Sequence, residues 1–428
     1  MGHADSSMVP TCTLSVPVVS WRRRAFGTSP IMPRLRGGRS ENSILLDIRS
    51  TVLSQTEELE ELVSVNATAV EALAKDIETW RVKKSFKVRF GLPLVFDDVK
   101  QEINFYALLA TLSFGSGWQE GVWSKAPTKG VPTRDSVLNM LISLHMDSKN
   151  LDAAGLAEVS LFALSQALDI PLTKEKRLDG GPIRQDVPSD YRWLVDKYYS
   201  VLSSLSSDLT SRGFKDLADF ILSSRMHGHV RVDESDVNFS ASLLVERLVK
   251  CFETFQDVAN VGQSSVPLHR KAQLVCEDLV ARFAAREHRL NFTDMEDLTL
   301  GSDAETVTWL RKLSLIEVSP ALAKKIDSDK EIEAGSREEA ALRVAGVKAC
   351  MKLAEEINKI NPEDTVSNVE VWRYISMQVK DLYFKQAKEV RQEANNKFGQ
   401  GEEEEEKIYV IGEGDDKKMF RCKNTQHY

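Results

Sequence analysis

The chain has 428 residues, of which 42% are hydrophobic and 28% are charged, with a formal net charge of −8. This composition belongs to a globular protein with enough apolar material for a large core, and it excludes a fibrous or wholly disordered chain. The negative balance argues against a protein that binds nucleic acid directly over a wide surface, because such a protein needs a basic face. No apolar run approaches the roughly 20 residues that cross a bilayer, so we expect no membrane partner.

The cysteines indicate a reducing compartment. Five cysteines lie far apart along the chain, and none forms a Cys-x-x-Cys pair. This scattered, odd set predicts reduced thiols in an intracellular protein. The pair His227 and His229 has no Cys or His partner at the spacing of a zinc site, so no metal ligands are predicted. No cofactor is predicted either, because nucleotide-binding glycine motifs of the Walker and Rossmann types are missing from the sequence.

Residues 1–43 differ in composition from the rest of the chain. They are rich in arginine and serine and contain one acidic residue, Asp5, before Glu41. Mitochondrial transit peptides have this composition. An unstructured leader without a targeting function is the alternative, so we expect a cytoplasmic protein with a mitochondrial location as the second possibility. In both cases residues 1–43 are left out of the predicted fold.

From residue 44 onward, helical periodicity dominates. Apolar residues recur three and four positions apart, which predicts amphipathic helices. The first stripe consists of Ile44, Leu45, Ile48, Val52 and Leu53, and later stripes extend to Trp372, Ile375, Val379 and Leu382. The stretch Phe105–Leu112 is apolar almost all round, which predicts a buried helix. The predicted fold is mainly α, with one multi-helix domain that covers residues 44–428.

Strand patterns are sparse and concentrate near the C-terminus. The β-prone runs Ile408–Ile411 and Lys418–Cys422 flank a turn rich in glycine and aspartate, which predicts a small hairpin. Before it, residues 395–407 contain five consecutive glutamates, Glu402–Glu406. Like charges in a row repel each other, so we expect a solvated, mobile insertion there.

Five separated segments carry more specific patterns than helical spacing. They are Ile103–Trp118, Ser240–Asp257, Val266–Val275, Phe292–Leu313 and Phe420–Tyr428. In their order and rough spacing these segments resemble the queuosine salvage family. The first is similar to that family's Leu-Asn-Phe-Ser-Phe-Trp block, the third to Tyr-Lys-Arg-Ala-Gln, the fourth to Phe-Ala-Asp-Tyr-Arg, and the last to Arg-Cys-Ile-Tyr-Tyr.

The resemblance implies a fold, a reaction and a substrate. The fold would be mainly helical and distantly like that of DNA glycosylases. The reaction would be hydrolysis of the N-glycosidic bond of queuosine 5′-phosphate, with release of the base queuine for tRNA modification. Such cleavage builds positive charge on the sugar, which a nearby carboxylate stabilises. The leaving 7-deazapurine lacks the N7 that other purines protonate, so its departure needs help at other ring positions.

Asp303 is the predicted catalytic carboxylate, because it matches the Asp of the Phe-Ala-Asp-Tyr-Arg block. A structural alternative stands beside this role. Ser302-Asp303-Ala304-Glu305 also reads as a capping box at the beginning of a helix, where an acid is favoured without any catalysis. The two roles are compatible, and the sequence does not decide between them.

The remaining site predictions are substrate-binding residues. Phe114 and Trp118 would form aromatic walls for the base, although aromatics beside an apolar helix are usually core residues. Arg270 and Lys271 would bind the phosphate or polarise the substrate. His269 stands where the family segment has Tyr and would donate a hydrogen bond, or be structural.

Arg421 is a second phosphate-binding prediction, and on a hairpin surface it would need no further role. Several positions depart from the family pattern, namely Ala110, Ser113, Ala304 and Glu305. These departures indicate a divergent member with changed substrate choice or without activity. The alternative function is therefore a catalytically inactive relative that binds a nucleotide or a protein, and a helical scaffold without a small-molecule site comes third.

Overall fold

The computed structural model describes residues 43–427, apart from 55–56, 87–93, 119–132, 148–149, 178–183, 224–239, 262–263, 378–417 and 424. The predicted leader (residues 1–43, except Ser43), the His227–His229 pair and the acidic insertion at 395–407 lie outside the described residues. The described part is mainly helical, which confirms the predicted fold class. The resemblance to DNA glycosylases stays a prediction.

The helices follow one another closely along the chain. The first are α1 (Ile44–Ser54), α2 (Glu57–Glu60), α3 (Ala67–Asp76), α4 (Thr79–Phe86) and α5 (Val99–Thr111). Next come α6 (Thr133–Met146), α7 (Ala153–Glu158), α8 (Leu161–Leu168), α9 (Arg192–Ser211) and α10 (Leu217–Leu222). The last are α11 (Ala241–Cys251), α12 (Arg270–Phe283), α13 (Ala304–Lys312), α14 (Pro320–Asp327) and α15 (Arg337–Ile360), followed by α16, which is described over 368–377. Short 3₁₀ helices lie at Ser116–Trp118, Glu253–Phe255, His288–Leu290 and Met295–Asp297.

Polar N-cap residues explain where many of these helices begin. A side-chain oxygen accepts a hydrogen bond from the backbone N–H three residues further on, which satisfies one of the unpaired donors of the first turn. The residues that cap in this way are Asn66, Asp98, Asp152, Ser160, Asp216, Ser240, Asp303 and Ser336. The apolar stripes then face inward, as Leu45, Ile48 and Val52 of α1 do, although Leu53 at the end of that stripe is 43% exposed.

Two helices form the centre of the core. Every residue of α5 from Glu102 to Thr111 is buried, which confirms the buried helix expected there. In α12 every residue from Arg270 to Leu279 is buried, charged side chains included. The two helices pack against each other, with α10 on α5 and α11 on α12. The N-terminus of α12 therefore lies deep in the protein rather than at its surface.

The long helix α15 packs against α3, α13 and the strand Val258–Val261. Its Gly346 allows a close backbone approach, since a Cβ atom there would lie 2.3 Å from the carbonyl oxygen of Gly301. Gly301 itself has a φ of +129°, a conformation that favours glycine. This contact fixes the loop before α13 on α15. The place where Asp303 enters α13 is therefore set by the packing of two glycines.

The described strands form small antiparallel pairs. They are β1 (Val63–Val65) with β6 (Ile316–Val318), β2 (Thr173–Arg177) with β3 (Arg184–Pro188), and β4 (Val258–Val261) with β5 (Ser264–Pro267). In the β4–β5 pair, Val258 lies opposite Pro267 and Val261 opposite Ser264. This hairpin joins the 3₁₀ helix Glu253–Phe255 to α12, so it brings Asp257 back to the N-terminus of α12.

The C-terminal segment differs from the hairpin expected there. The first predicted arm, Ile408–Ile411, lies outside the described residues. The described arm, Lys418–Cys422, is not a strand, and Cys422 forms an isolated parallel bridge with Ile332. The segment thus lies along the loop after α14 instead of standing free. The contacts of the described residues group them into one compact unit within Asn42–Tyr428. None of the helices in the described part is long and apolar enough to span a membrane.

Candidate active site

The N-terminus of α12 is held by a carboxylate from outside the helix. His269, the N-cap residue, has a φ of 44° and makes no side-chain cap hydrogen bond. Asp257 takes that place, because its Oδ2 accepts a hydrogen bond from the backbone N–H of Arg270 at 3.1 Å. The backbone N–H groups of Leu268 and His269 donate to the carbonyl oxygen of Asp257. The helix dipole favours a negative charge at this position.

His269 contacts the same turn. Its Nδ1 accepts a hydrogen bond from the backbone N–H of Asp257 at 3.3 Å. Burial lowers the pKa of His269, and the attraction of Asp257 only partly opposes that effect. The imidazole therefore acts as a neutral acceptor within the turn, and its observed contact is a structural one.

A buried ion pair anchors Asp257 on the other side. Arg343 of α15 donates from Nη2 to Asp257 Oδ2 at 2.7 Å, and the two side chains are 1% and 0% exposed. The Nη1 atom of Arg343 lies 3.6 Å from the carboxylate of Glu339. Burial alone would raise the pKa of the Asp257 carboxyl, but the charge of Arg343, followed by His427 and the hydrogen bonds, holds it well below its usual range. Asp257 is therefore ionised in the core.

The second oxygen of Asp257 faces the C-terminal segment. Asp257 Oδ1 and His427 Nδ1 lie 3.8 Å apart. Both atoms are buried, and neither has a hydrogen-bond partner among the described residues. Burial lowers the pKa of His427 to about 4 against the attraction of Asp257, and the cations Arg343, Lys271 and Lys197 lower it further. At neutral pH this imidazole is uncharged beside an ionised carboxylate.

A polar cavity of about 410 Å³ opens beside this network. Side chains from α9, the 3₁₀ helix Glu253–Phe255, β4, the beginning of α15 and the C-terminal segment line it. Charged and hydroxyl or amide groups dominate the lining, including Lys197, Ser200, Ser204, Glu253, Thr254, Asn260, Glu339, Thr425 and His427. A cavity of this size lies within the range of small-molecule sites in proteins.

Lys271 contacts the wall of the cavity from behind. It is 0% exposed, and its Nζ donates a hydrogen bond to Thr254 Oγ1 at 2.9 Å. The same ammonium group lies 5.3 Å from the centroid of the Phe114 ring. Burial lowers the pKa of Lys271 to about 7, with Asp257 opposing the shift and Arg270 and Lys197 adding to it. A lysine in this state exchanges a proton readily near neutral pH.

Arg270 connects Asp257 to the predicted catalytic residue. Its Nη1 donates to the carbonyl oxygen of Ser113 at 2.8 Å. Its Nε lies 3.6 Å from Asp303 Oδ2. Because the backbone N–H of Arg270 binds Asp257, one residue contacts both buried carboxylates. The structure thus brings His269, Arg270, Lys271 and Asp303 into one network.

Asp303 is 4% exposed and caps α13. Its Oδ1 accepts hydrogen bonds from the backbone N–H of Thr306 at 2.8 Å and from Thr306 Oγ1 at 2.9 Å. Its Oδ2 accepts from the indole N–H of Trp372 at 3.1 Å. The capping role that the sequence left open is therefore present. These contacts also fix the carboxylate in one orientation, which a catalytic group requires.

Phe114 belongs to the same network, although it is packed as a core residue. Its ring is 1% exposed and stacks on Tyr198 with a centroid distance of 4.4 Å. The hydroxyl group of Tyr198 donates to the Phe114 carbonyl oxygen at 2.8 Å. Tyr198 covers one side of the ring and the ammonium group of Lys271 lies over it, so Phe114 touches the network through Lys271.

Trp118 and Arg421 form a second group. The indole N–H of Trp118 donates to the Cys422 carbonyl oxygen at 3.1 Å. The ring centroids of Trp118 and Trp193 are 5.2 Å apart. The guanidinium of Arg421 lies 5.9 Å from the Trp118 centroid and 3.3 Å from Asp329. Trp118 therefore contacts the C-terminal segment, to which Arg421 belongs. The other predicted residues cluster around α12.

The departures from the family pattern have structural consequences at the same place. Ala110 is fully buried in α5. The Ser113 hydroxyl group donates to the Leu109 carbonyl oxygen at 2.6 Å, and the Ser113 carbonyl accepts from Arg270. Ala304 is fully buried in the first turn of α13. Ala110 on α5 and Ser113 just after its end thus fill these two positions with small side chains within the core.

Several functional candidates escaped the sequence reasoning. Asp257 stood at the end of a recognised segment without an assigned role. Arg343 interrupts an otherwise apolar run of α15, Ala340–Val347, and a charge in such a run is a signal of a buried ion pair. His427, Glu339 and Lys197 carry no local signal, because only the tertiary fold brings them to the cavity. Among the described residues, no group of three or more His, Cys, Asp or Glu side chains is placed to hold a metal ion.

The described part is a mainly helical protein with a polar cavity that lies beside buried, mutually paired charges, an arrangement that is a candidate small-molecule site. Comparison with known families is more specific. Residues 214–401 match the model of the family described as queuosine salvage protein. This match supports the resemblance and contains three of the five segments that carry it, Ser240–Asp257, Val266–Val275 and Phe292–Leu313, whereas Ile103–Trp118 and Phe420–Tyr428 lie outside it. It contains Asp257, Arg270, Lys271, Asp303 and Arg343.

Three similar proteins share one name that agrees with this family description. A Dictyostelium discoideum protein named queuosine 5′-phosphate N-glycosylase/hydrolase is 30% identical over 139 residues, which cover 32% of this chain and 43% of that protein. Proteins of the same name from Sphaerobacter thermophilus and Nematostella vectensis are 29% and 25% identical over 127 and 150 residues. The matched segments span less than half the length of these relatives, between 39% and 43%.

Proposed function

We propose that this protein is an N-glycosidase that hydrolyses queuosine 5′-phosphate and releases queuine. One observation carries the proposal. The segment that matches the family model, residues 214–401, contributes the buried network of Asp257, Arg270, Lys271, Asp303 and Arg343 beside a cavity of about 410 Å³. None of these five residues lines the cavity itself; Lys271 contacts its wall through Thr254, and Asp257 contacts it through His427. Buried charged groups beside a cavity are typical of active sites.

The proposed catalytic carboxylate is Asp303. Cleavage of the C1′–N9 bond leaves positive charge on the sugar, and an ionised carboxylate held rigidly stabilises that charge. Arg270 at 3.6 Å and the donors Thr306 and Trp372 fix the direction of the Asp303 carboxylate. Arg270 is therefore proposed as the positioning residue of this group.

Asp257 is the second candidate for the carboxylate. Its Oδ1 has no hydrogen-bond partner among the described residues and lies 3.8 Å from His427, which lines the cavity. The match to the family block favours Asp303. The contact with the cavity wall favours Asp257. Variants distinguish the two roles, because Asn retains the cap of α13 at position 303.

The cavity is the proposed substrate site. Lys197 and Thr425 line it and suit the 5′-phosphate, and the hydroxyl and amide groups of Ser200, Ser204 and Asn260 suit the sugar. The base would lie toward Thr254. We propose Phe114 and Trp118 as aromatic neighbours of the base. Phe114 would act indirectly, through its contact with Lys271. His269 and Arg421 are proposed to support the site through the turn at Asp257 and the C-terminal segment.

The direct test incubates the purified full chain with queuosine 5′-phosphate and follows the products by chromatography with mass detection. We expect free queuine and ribose 5-phosphate. Guanosine 5′-phosphate and the queuosine nucleoside are parallel substrates that measure the selectivity for base and phosphate. If only guanosine 5′-phosphate is cleaved, the proposed substrate is wrong, but the proposed reaction, hydrolysis of an N-glycosidic bond, stands. If the folded protein forms no product from any of the three compounds, the proposal that it is an enzyme of this kind is wrong.

A binding protein without turnover is the second proposed function. The observation that favours it is the occupation of both Asp303 oxygens by Thr306 and Trp372, together with Glu305 in the place of the family's Arg. This alternative predicts that queuosine 5′-phosphate raises the melting temperature while no queuine is formed. Turnover on the same sample would exclude it.

The proposed partner is the small nucleotide alone, since the net charge of −8 does not suit direct nucleic-acid binding. We propose a cytoplasmic location, with mitochondria as the alternative because of the arginine-rich residues 1–43. A fluorescent fusion of the full chain, compared with one that begins at residue 44, tests this. Mitochondrial fluorescence that depends on residues 1–43 would favour the alternative.

A further inference from the structure

The ammonium group of Lys271 has a place and a partner that phosphate binding does not explain. It is fully buried on α12 and donates to Thr254 Oγ1 at 2.9 Å. Thr254 in turn lines the cavity, whereas the lysine stands one layer behind it. An anion in the cavity would meet the Thr254 hydroxyl group first. The arrangement is that of a proton donor with a hydroxyl relay.

We propose that Lys271, through the hydroxyl group of Thr254, supplies the proton that the leaving base takes up when the N-glycosidic bond breaks. This inference rests on the proposed function and assigns roles within the same site. It answers a chemical demand of that reaction. A 7-deazapurine has no N7 to protonate, so the negative charge that develops on the departing ring must be neutralised by a proton delivered elsewhere.

The proposed step transfers one proton to the base and takes one from the attacking water. The C1′–N9 bond breaks, and its electron pair stays with the base. The Thr254 hydroxyl group gives its proton to the base while it receives one from the Lys271 ammonium group. Water forms the new C1′–O bond and gives one proton to the catalytic carboxylate, from which it passes to solvent. Lys271 then regains a proton from solvent, and the enzyme is restored.

The charges around Lys271 favour this exchange. Burial lowers its pKa to about 7, so the group is still partly protonated at neutral pH and gives up its proton easily. The charged neighbours come from several elements: Asp257 before β4 raises the pKa, while Arg270 of α12 and Lys197 of α9 lower it. His427 of the C-terminal segment faces the same region and is neutral near pH 7. The Phe114 ring at 5.3 Å stabilises the ammonium form.

Arginine at this position would keep the positive charge but cannot donate a proton near neutral pH. The similar family segment has Arg at this place, so the proposal concerns the residue of this chain. We expect Lys271→Arg to lower kcat for queuosine 5′-phosphate about 10²- to 10⁴-fold, the usual contribution of proton transfer, with a much smaller change in KM. Thr254→Val should show the same loss, and Thr254→Ser, which retains a hydroxyl group, should recover most of it.

Two readouts separate proton transfer from a structural role. The first is 4-nitrophenyl ribofuranoside 5-phosphate, whose nitrophenolate leaves without a proton, so Lys271→Arg should cleave it at nearly the wild-type rate. The second is the pH profile of kcat with queuosine 5′-phosphate. In the wild type the rate should fall as the pH rises through about 7, since the donor is lost. Lys271→Arg should lack this fall.

Equal losses on both substrates, or an unchanged alkaline fall in Lys271→Arg, would overturn the proposal while leaving the glycosidase function intact. If the wild type does not cleave the nitrophenyl compound, the pH profile alone decides. If the wild type releases no queuine at any pH, the proposed function has failed rather than the assignment of Lys271. Thermal melting of each variant verifies that it is folded.

Discussion

Arg343 donates a hydrogen bond to Asp257 at 2.7 Å where neither side chain meets solvent. The pair joins the long helix α15 to the N-terminus of α12, because the same carboxylate oxygen also accepts from the backbone N–H of Arg270. The entire candidate site is therefore arranged around one ionised group in the core.

Removal of Arg343 should destabilise the protein strongly. Arg343→Met leaves Asp257 as a buried charge without its main counterion, which typically costs about 3–5 kcal/mol. The free energy of unfolding from urea titration measures this. Arg337→Met, on the exposed beginning of the same helix, is the matched control and should cost less than about 1 kcal/mol. Equal, small losses in both variants would show that the buried pair does not support the fold.

His427 should make stability depend on pH. Its pKa falls from its usual 6.5 to about 4 in the folded protein, so between these values the unfolded chain binds a proton that the folded protein does not. The free energy of unfolding should therefore decrease as the pH is lowered through this range, by up to about 1.4 kcal/mol per pH unit from this group. Below about pH 4 the imidazole is protonated in both states, so the stability that the uncharged His427 retained at neutral pH is fully lost.

The difference between wild type and His427→Gln isolates this effect, because all other groups cancel. His288→Gln is the control, since the His288 side chain is 93% exposed. A pH slope in His427→Gln as steep as that of the wild type would contradict the partly buried, uncharged state of His427.

Lys197 should contribute to recognition of the phosphate. It lies on α9 and lines the cavity, near enough to Lys271 to lower the pKa of that lysine. Lys197→Ala should raise KM for queuosine 5′-phosphate by roughly 10-fold, which is about 1.4 kcal/mol of binding, and should shift the alkaline fall of kcat to higher pH. The control is Lys174→Ala on the exposed strand β2. An equal KM in wild type and Lys197→Ala would place the phosphate elsewhere.

The parts of the fold that local sequence determines were predictable. The α5 stretch Phe105–Leu112 is buried because apolar side chains surround it, and Asp303 caps α13 because an acid precedes a helical stripe. The capping box and the family block coincide at Asp303, so local pattern alone does not separate the two roles.

The rest of the site depends on tertiary contacts. Asp257, Arg343 and His427 are far apart in sequence, and only the β4–β5 hairpin, the course of α15 and the C-terminal segment bring them together. The predicted second strand of the C-terminal hairpin illustrates the same limit. Its β-prone residues Lys418–Cys422 pass beside the loop after α14, where Cys422 bridges Ile332.

The most direct measurement is queuine release from queuosine 5′-phosphate by wild type and Asp303→Asn. Asn retains the acceptor that caps α13 but removes the negative charge beside the buried guanidinium of Arg270, so the protein should lose some stability and stay folded, while kcat falls at least about 100-fold. Asp152→Asn, another cap with the same hydrogen bond, is the control and should keep its activity. Wild-type turnover in folded Asp303→Asn would show that Asp303 only caps its helix and that another carboxylate, with Asp257 first, faces the sugar.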